Sequence, residues 1–307
     1  MKVTALAGGV GGARLLVGLQ RAMPDPTALT AVVNTADDAV LYGVHVSPDV
    51  DIVMYWLAGM ADTRRGWGLE GDSFTVVETL RALSGEAWFS LGDRDLAVCL
   101  ARTQRLAAGA SLSEVTAELA RRLGVAARIL PMSDDRVRTR VTTGDGRTLG
   151  FQEYFVRERT EPEVRSVLLE GIDRARAAPG VLEAIRTADR VIVCPSNPIV
   201  SVGPIVELAG VRAELVRHPD VVAVSPIVGG VALKGPADRM LASLGHESSA
   251  PGVARLYADF CTAFVVDETD RSTVGAVSAW GPRGVVLDTI MSDEAASERL
   301  AKELLEL

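Results

Sequence analysis

The chain has 307 residues, 48% hydrophobic and 23% charged, with a net charge of −8. That length accommodates one large α/β unit or two domains, and the apolar content excludes long disorder. The acidic balance argues against nucleic acid as the main partner, because a phosphate backbone attracts a basic footprint.

The first predicted element is an apolar strand from Val3 to Leu6, followed by Gly8, Gly9, Gly11 and Gly12 and by a helix opening at Ala13. A strand, a glycine loop and a helix can hold phosphate, because backbone N–H groups approach the anion and the helix N-terminus adds partial positive charge. Arg14 would add a formal charge. The spacing Gly9-x-Gly11-Gly12 is neither G-x-G-x-x-G nor a Walker A loop. The alternative is a tight strand-to-helix turn.

Leu29 to Val33 reads as a second strand one helix-length later, which makes a βαβ unit with parallel strands and a right-handed crossover. Ligands on such sheets sit beyond the carboxyl ends of the strands. There the sequence places Asn34, Asp37 and Asp38, then Asp49 and Asp51. These carboxylates are either turn and cap residues or hard oxygen ligands for magnesium beside a phosphate site.

Residues 62–75 read as a glycine-rich loop, in which Trp67 stacks on a flat ligand or packs on a helix. Asp93-Arg94-Asp95 opens a helix over Leu96–Ala108, supported by the apolar spacing at 96, 97, 100 and 106. Arg94 reads as an anion clamp in preference to a surface ion pair. Ser111 and Glu114 form a capping box for the helix to Leu123. Ala127 to Pro131 is a short strand. Arg138 to Phe155 is a β-hairpin turning at 144–146, and residues 156–180 are irregular.

The βα rhythm resumes with a helix over Val181–Asp189 and a strand over Arg190–Cys194. That strand ends in Pro195-Ser196-Asn197-Pro198, read as an extended loop held by two prolines. The next strand, Val221–Val224, ends in Ser225-Pro226 and then Gly229-Gly230. Lys234 reads as a phosphate contact or as solvated surface. Residues 237–262 are helical, Phe264–Asp267 and Val285–Leu287 are late strands, and Glu294–Leu307 is a C-terminal helix. The expected fold is α/β: a Rossmann-like, mostly parallel sheet with helices on both faces, formed by residues 1–130 and 181–307. Residues 131–180 form a smaller inserted α+β region, a hairpin followed by an irregular stretch, within one functional unit.

Cys99, Cys194 and Cys261 have no metal or disulfide spacing. No apolar run reaches the roughly 18–20 residues of a membrane span, and the N-terminal residues lack signal-peptide features. A cytoplasmic protein that uses no membrane is expected. His45, His218 and His246 are scattered and suggest no Ser-His-Asp arrangement. Magnesium-assisted transfer of a phosphorylated group fits better. Of 32 basic residues only Lys2, Lys234 and Lys302 are lysines, a bias of GC-rich bacterial genomes.

Taken in order, the segments AGGVGGARLL, AVVNTADD, SPDVD, LGDRD, LPMSDD, FQEYFV, PSNPIVSVGPI, SPIVGG with KGPA, and DETD resemble the 2-phospho-L-lactate transferase family of deazaflavin coenzyme biosynthesis. The resemblance runs from about residue 3 to residue 270. It implies a homodimer that passes a phospho-C3-acid from a guanosine-diphosphate-activated donor to the ribityl hydroxyl of the deazaflavin Fo. GMP is released and Mg(II) is required. Bacterial members favour phosphoenolpyruvate over 2-phospho-L-lactate. The implied donor-nucleotide residues are Gly9, Gly11, Gly12, Arg14, Ser196, Asn197, Ser225, Pro226 and Gly229. Asp51 and Ser90 match Fo-contacting positions, and some members carry Lys where this chain has Ser90. Asp38, Asp51 and Asp37 are the metal candidates, and Asp38, Asp51 and Arg94 the catalytic ones.

Two other classes compete. A nicotinamide-dependent oxidoreductase on a Rossmann core would want G-x-G-x-x-G and an acid ending the second strand, where Asn34 stands. A non-catalytic guanine-nucleotide-binding protein would bind nucleotide without needing the carboxylate cluster.

Overall fold

A computed structural model describes residues 1–307. β1 (Val3–Ala7) leads through Gly8 into α1 (Gly9–Ala22), and β2 (Leu29–Val33) returns beside β1. A small hairpin of β3 (Ala39–Leu41) and β4 (Val44–Val46) follows. Four helices come next: α2 (Pro48–Leu57), α3 (Thr75–Ser84), α4 (Asp93–Ala107) and α5 (Leu112–Arg122). α5 carries the expected box, with the Ser111 hydroxyl accepting from the Glu114 N–H and the Glu114 carboxylate accepting from the Ser111 N–H. β5 (Arg128–Pro131) then joins the outer side of β2.

The chain next leaves the sheet. β6 (Arg138–Thr143) pairs antiparallel with β7 (Thr148–Gly150) and with β8 (Val164–Glu170). The stretch expected to be irregular after residue 155 therefore contains a seven-residue strand. Only Val164 of this strand, VRSVLLE, is buried, with Val167 and Leu169 partly so, and it lacks the continuous apolar run of the central strands. The second half of the main sheet follows: α6 (Val181–Thr187), β9 (Arg190–Val193), α7 (Gly203–Glu207), α8 (Val211–Arg217) and β10 (Val221–Val224). A short hairpin of β11 (Ile227–Val228) and β12 (Val231–Ala232) precedes α9 (Ala237–Ser243) and α10 (Ala250–Leu256). The helical run expected over 237–262 breaks between these two, at a left-handed Gly245, and Ser249 caps the second. β13 (Ala263–Asp267), α11 (Val274–Ser278), β14 (Arg283–Leu287) and α12 (Glu294–Glu306) complete the chain.

The main sheet is parallel throughout, in the order β14-β13-β10-β9-β1-β2-β5. Alternation of side chains along a strand divides the core in two. Val3, Ala5, Leu29, Ala31, Ile192 and Val222 face one layer, with α1, α2 and α12. Leu6, Val32, Val191, Val193, Ala223 and Phe264 face the other, with α6, α8 and α10. Because both faces are covered, the strands read as continuous apolar runs. Strand order reverses between β1 and β9, and their carboxyl ends form the crevice where such sheets bind ligands.

Candidate functional site

A cavity of 530 Å³ opens at this crevice. Gly8, Gly9 and Gly11 line it from the end of β1, and Pro195, Ser196 and Asn197 from the end of β9. The two loops are locked together. The Gly8 N–H donates to Ser196 Oγ at 3.1 Å, and that hydroxyl donates to the Gly8 carbonyl at 2.8 Å. A Cβ on Gly11 would stand 2.6 Å from the Pro195 carbonyl oxygen, so only glycine admits this approach. The loop after β9 is helical, contrary to the extended loop expected. Asn197 Oδ1 accepts from the Ile199 N–H at 2.9 Å and caps a wide turn over Pro198–Val202.

An acidic cluster forms one wall. The Asn34 amide donates to Asp37 Oδ2 at 3.0 Å and to Asp49 Oδ2 at 2.9 Å, and Asp49 Oδ1 accepts the Gly9 N–H at 2.9 Å. Asp38 Oδ2 lies 2.9 Å from His45 Nε2 and accepts from the Ser47 hydroxyl. Asp37 Oδ1 and Asp38 Oδ1 are buried without a partner. Burial, reinforced by the charge of Asp49, pushes the Asp37 carboxyl well above its ordinary range. Burial likewise pushes Asp49 up to about 6 and raises Asp38. Buried carboxylates short of countercharge, with open hard oxygens, suit a divalent ion such as magnesium. Asp37 and Asp38, each with one unpartnered oxygen, therefore fit a metal by burial and donor type, and Asp49 stands beside them with both oxygens accepting hydrogen bonds.

A second group lies across the cavity. Arg102, fully buried, donates through Nη1 to Asp51 Oδ2 at 3.0 Å and through Nη2 to Asp51 Oδ1. Tyr55 donates to Asp95 Oδ1 at 2.7 Å. Burial and then the charge of Asp51 push Asp95 up to about 7. Asp51, Asp95 and Cys99 converge closely enough to ligate a metal, but Arg102 already supplies the countercharge and engages both Asp51 oxygens. Arg102 escaped the sequence reading, which places Asp49 among the strand-end carboxylates but not among the metal candidates. The available signal was Asp95, Cys99 and Arg102 at helical spacing. They form the buried stripe of α4, whereas the apolar Leu100 is exposed.

The structure brings Gly9, Gly11, Asp37, Asp51, Ser90, Ser196 and Asn197 to this one cavity. Asp38 lines an adjoining cavity of 280 Å³ that shares Asp37, Phe151 and Gln152 with the first. Gly12 sits beneath the loop, where a Cβ would stand 2.8 Å from Ser196 Oγ. Arg14 points away, donating to the Met291 carbonyl at 2.7 Å and stacking over Trp56. Ser225 closes a local turn with Ile227, Gly229 donates to Asp270, and neither they nor Pro226 line the cavity. Arg94 is a correction to the anion-clamp reading: it is exposed, outside the cavity, and donates to the Glu70 carbonyl at 3.0 Å. Trp67 lines the cavity and meets Phe74 edge-on, with Arg65 over its ring. From the β6–β8 region come Phe151 and Phe155, stacked at 5.6 Å between ring centres.

A doubly covered parallel sheet with a glycine loop and a carboxylate wall at its switch point defines a Rossmann-like α/β protein with its candidate site at the strand ends. Residues 3–302 match the family described as 2-phospho-L-lactate transferase CofD. The chain belongs to that family and is an enzyme of the transferase class. It is 44% identical to a phosphoenolpyruvate transferase of Streptomyces griseus, covering 100% of this chain and 98% of the relative. It is 41% identical to a 2-phospho-L-lactate transferase of Methanosarcina mazei, covering 96% and 97%. A solved structure of a UPF0052 family member from Bacillus halodurans shares the fold, with a TM-score of 0.66 at 16% identity over 99% and 98% of the two chains. No helix is long and apolar enough to cross a membrane.

Proposed function

We propose that this enzyme moves a phospho-C3-acid, phosphoenolpyruvate in preference to 2-phospho-L-lactate, from a guanosine-diphosphate-activated donor to the primary ribityl hydroxyl of Fo in coenzyme F-420 biosynthesis. The observation that carries the reading is one cavity with a glycine loop, a buried carboxylate wall and an aromatic wall of Trp67, Phe89, Phe151 and Phe155. Relatives named for each acid match at similar identity, and the preference follows the Streptomyces and Kitasatospora relatives. Asn34 supports a transferase over a dinucleotide oxidoreductase. It stands where a ribose-binding acid would end β2, and its amide is committed to Asp37 and Asp49.

The Val10 and Gly11 N–H groups of the first turn of α1, with the Asn197 amide, hold the donor's phosphates, because the Gly8 and Gly9 N–H groups and the Ser196 hydroxyl are committed within the protein. Fo lies against the aromatic wall beside Ser90 and Asp51. Its hydroxyl oxygen forms a bond to the distal phosphorus, and the bond from that phosphorus to the bridging oxygen breaks. The electron pair leaves with GMP, and the hydroxyl proton passes to a carboxylate of the cluster. Asp37 and Asp38 would hold magnesium, which when bound supplies charge neutralisation at phosphoryl oxygens. The apolar walls exclude water, which would otherwise hydrolyse the donor. The homodimer is part of the same reading and is checked by mass in solution.

The test supplies purified protein with Fo, magnesium and each guanosine-diphosphate-activated acid, and follows GMP and the mass of the deazaflavin product. Transfer is expected with both donors, faster with the enolpyruvyl one. Binding of Fo and GDP without GMP release from either donor would refute transfer and leave a nucleotide-binding protein.

A further inference from the structure

Four carboxylates line the main cavity, Asp37, Asp49, Asp51 and Asp95, but only two cationic side chains do, Arg65 and Lys234. Arg65 is committed: it pairs with Asp62 at 3.1 Å, donates to the Leu69 carbonyl and lies over Trp67 and Phe74. Lys234 has no hydrogen bond and no ion pair, and stands at the cavity mouth.

An exposed lysine without a partner ordinarily extends into water. This one turns inward. The β11–β12 hairpin, with Ile227 opposite Ala232, reverses through Gly229 and Gly230 at φ of 59° and 82°. That two-glycine turn suits the twist of a tight hairpin and sends the following residues back over the cavity, where Lys234, Gly235 and Pro236 line it. A Cβ on Gly66 would stand 2.8 Å from Lys234 Nζ and 3.2 Å from Val10 Cγ1. The ammonium group therefore rests against the bare backbone of Gly66, beside the first turn of α1. Burial and then the nearby positive charge of Arg14 lower its pKa.

We propose that Lys234 holds the diphosphate of the nucleotide donor against the Gly8–Gly11 loop and neutralises the charge gained by the departing nucleoside phosphate. The inference rests on the transferase reading above. As the phosphorus–oxygen bond breaks, the bridging oxygen keeps the electron pair and leaves on GMP. A lysine on a flexible stem follows that charge as a point donor. The two-glycine turn of the hairpin lies outside the cavity and delivers Lys234 to it.

The test compares wild type, Lys234→Gln and Lys234→Arg by calorimetric titration with guanosine, GDP and inorganic pyrophosphate, and by transfer kinetics. Lys234→Gln is expected to weaken GDP and pyrophosphate about tenfold, leave guanosine unchanged and lower kcat about a hundredfold, a typical loss for one charge-stabilising donor. Lys234→Arg recovers most of both. Unchanged pyrophosphate affinity in Lys234→Gln, or an equal loss for guanosine, overturns the proposal, the latter because it marks a merely structural role. Lys234-dependent pyrophosphate binding in a protein that transfers neither acid would sustain the phosphate contact and refute the transferase reading. Full transfer by Lys234→Gln would do the reverse.

Discussion

Replacing Arg102 by Met tests whether the Asp51–Arg102 pair organises the cavity's far wall. The guanidinium is wholly buried and the Asp51 side chain is 6% exposed. Methionine fills much of the volume but leaves a buried carboxylate with no countercharge, beside an Asp95 already disfavoured as an anion by burial and by Asp51. Breaking one partner of a buried pair costs about 3–5 kcal/mol. At roughly 2.1 cal/mol/K of unfolding entropy per residue, 307 residues convert that loss into a melting shift of about 5–8 °C. Urea and thermal unfolding followed by tryptophan fluorescence would read it. The double variant Asp51→Leu with Arg102→Met removes both charges and should regain most of the loss. A single-variant cost below about 1 kcal/mol, the scale of an exposed pair, would refute the argument. So would a double variant no better than the single.

The Asp95 carboxyl, raised to about 7 in the folded chain from an ordinary 3.8, binds its proton more tightly folded than unfolded. It therefore favours folding most below pH 3.8, and that advantage is lost as pH rises through 7. Asp95→Asn should flatten the pH dependence of melting over this window, and an unchanged slope would count against the shift. Arg94→Ala should leave transfer kinetics within about twofold, since exposed pairs and contacts contribute little; a tenfold loss would restore the clamp reading. Gly18→Ala would place a Cβ 2.1 Å from the Ser297 carbonyl oxygen, where α1 packs on α12. Overpacking of this kind costs about 1–3 kcal/mol, measured by denaturation, with GDP affinity retained.

Local rules settled the parts of this protein whose signal lies along the chain. Apolar runs marked the central strands, because strands buried on both faces have little polar alternation. The glycines after β1 marked a close approach, and Ser111 with Glu114 marked a cap; both depend only on neighbouring residues. Proximity across the fold was decided by packing. Asp49 reaches Gly9 and Asn34 because the parallel sheet sets the end of β2 beside the start of α1, with α2 folded over both. Asp38 and His45 meet through the β3–β4 turn. Arg102 reads as an ordinary helical arginine until α4 lies against α2 and its charge meets Asp51. Lys234 reads as a phosphate contact or as surface until a two-glycine hairpin turns it back to line the cavity. A sequence records which residues can carry charge. Burial and neighbours across the fold decide which of those charges are neutralised and which remain free for a ligand.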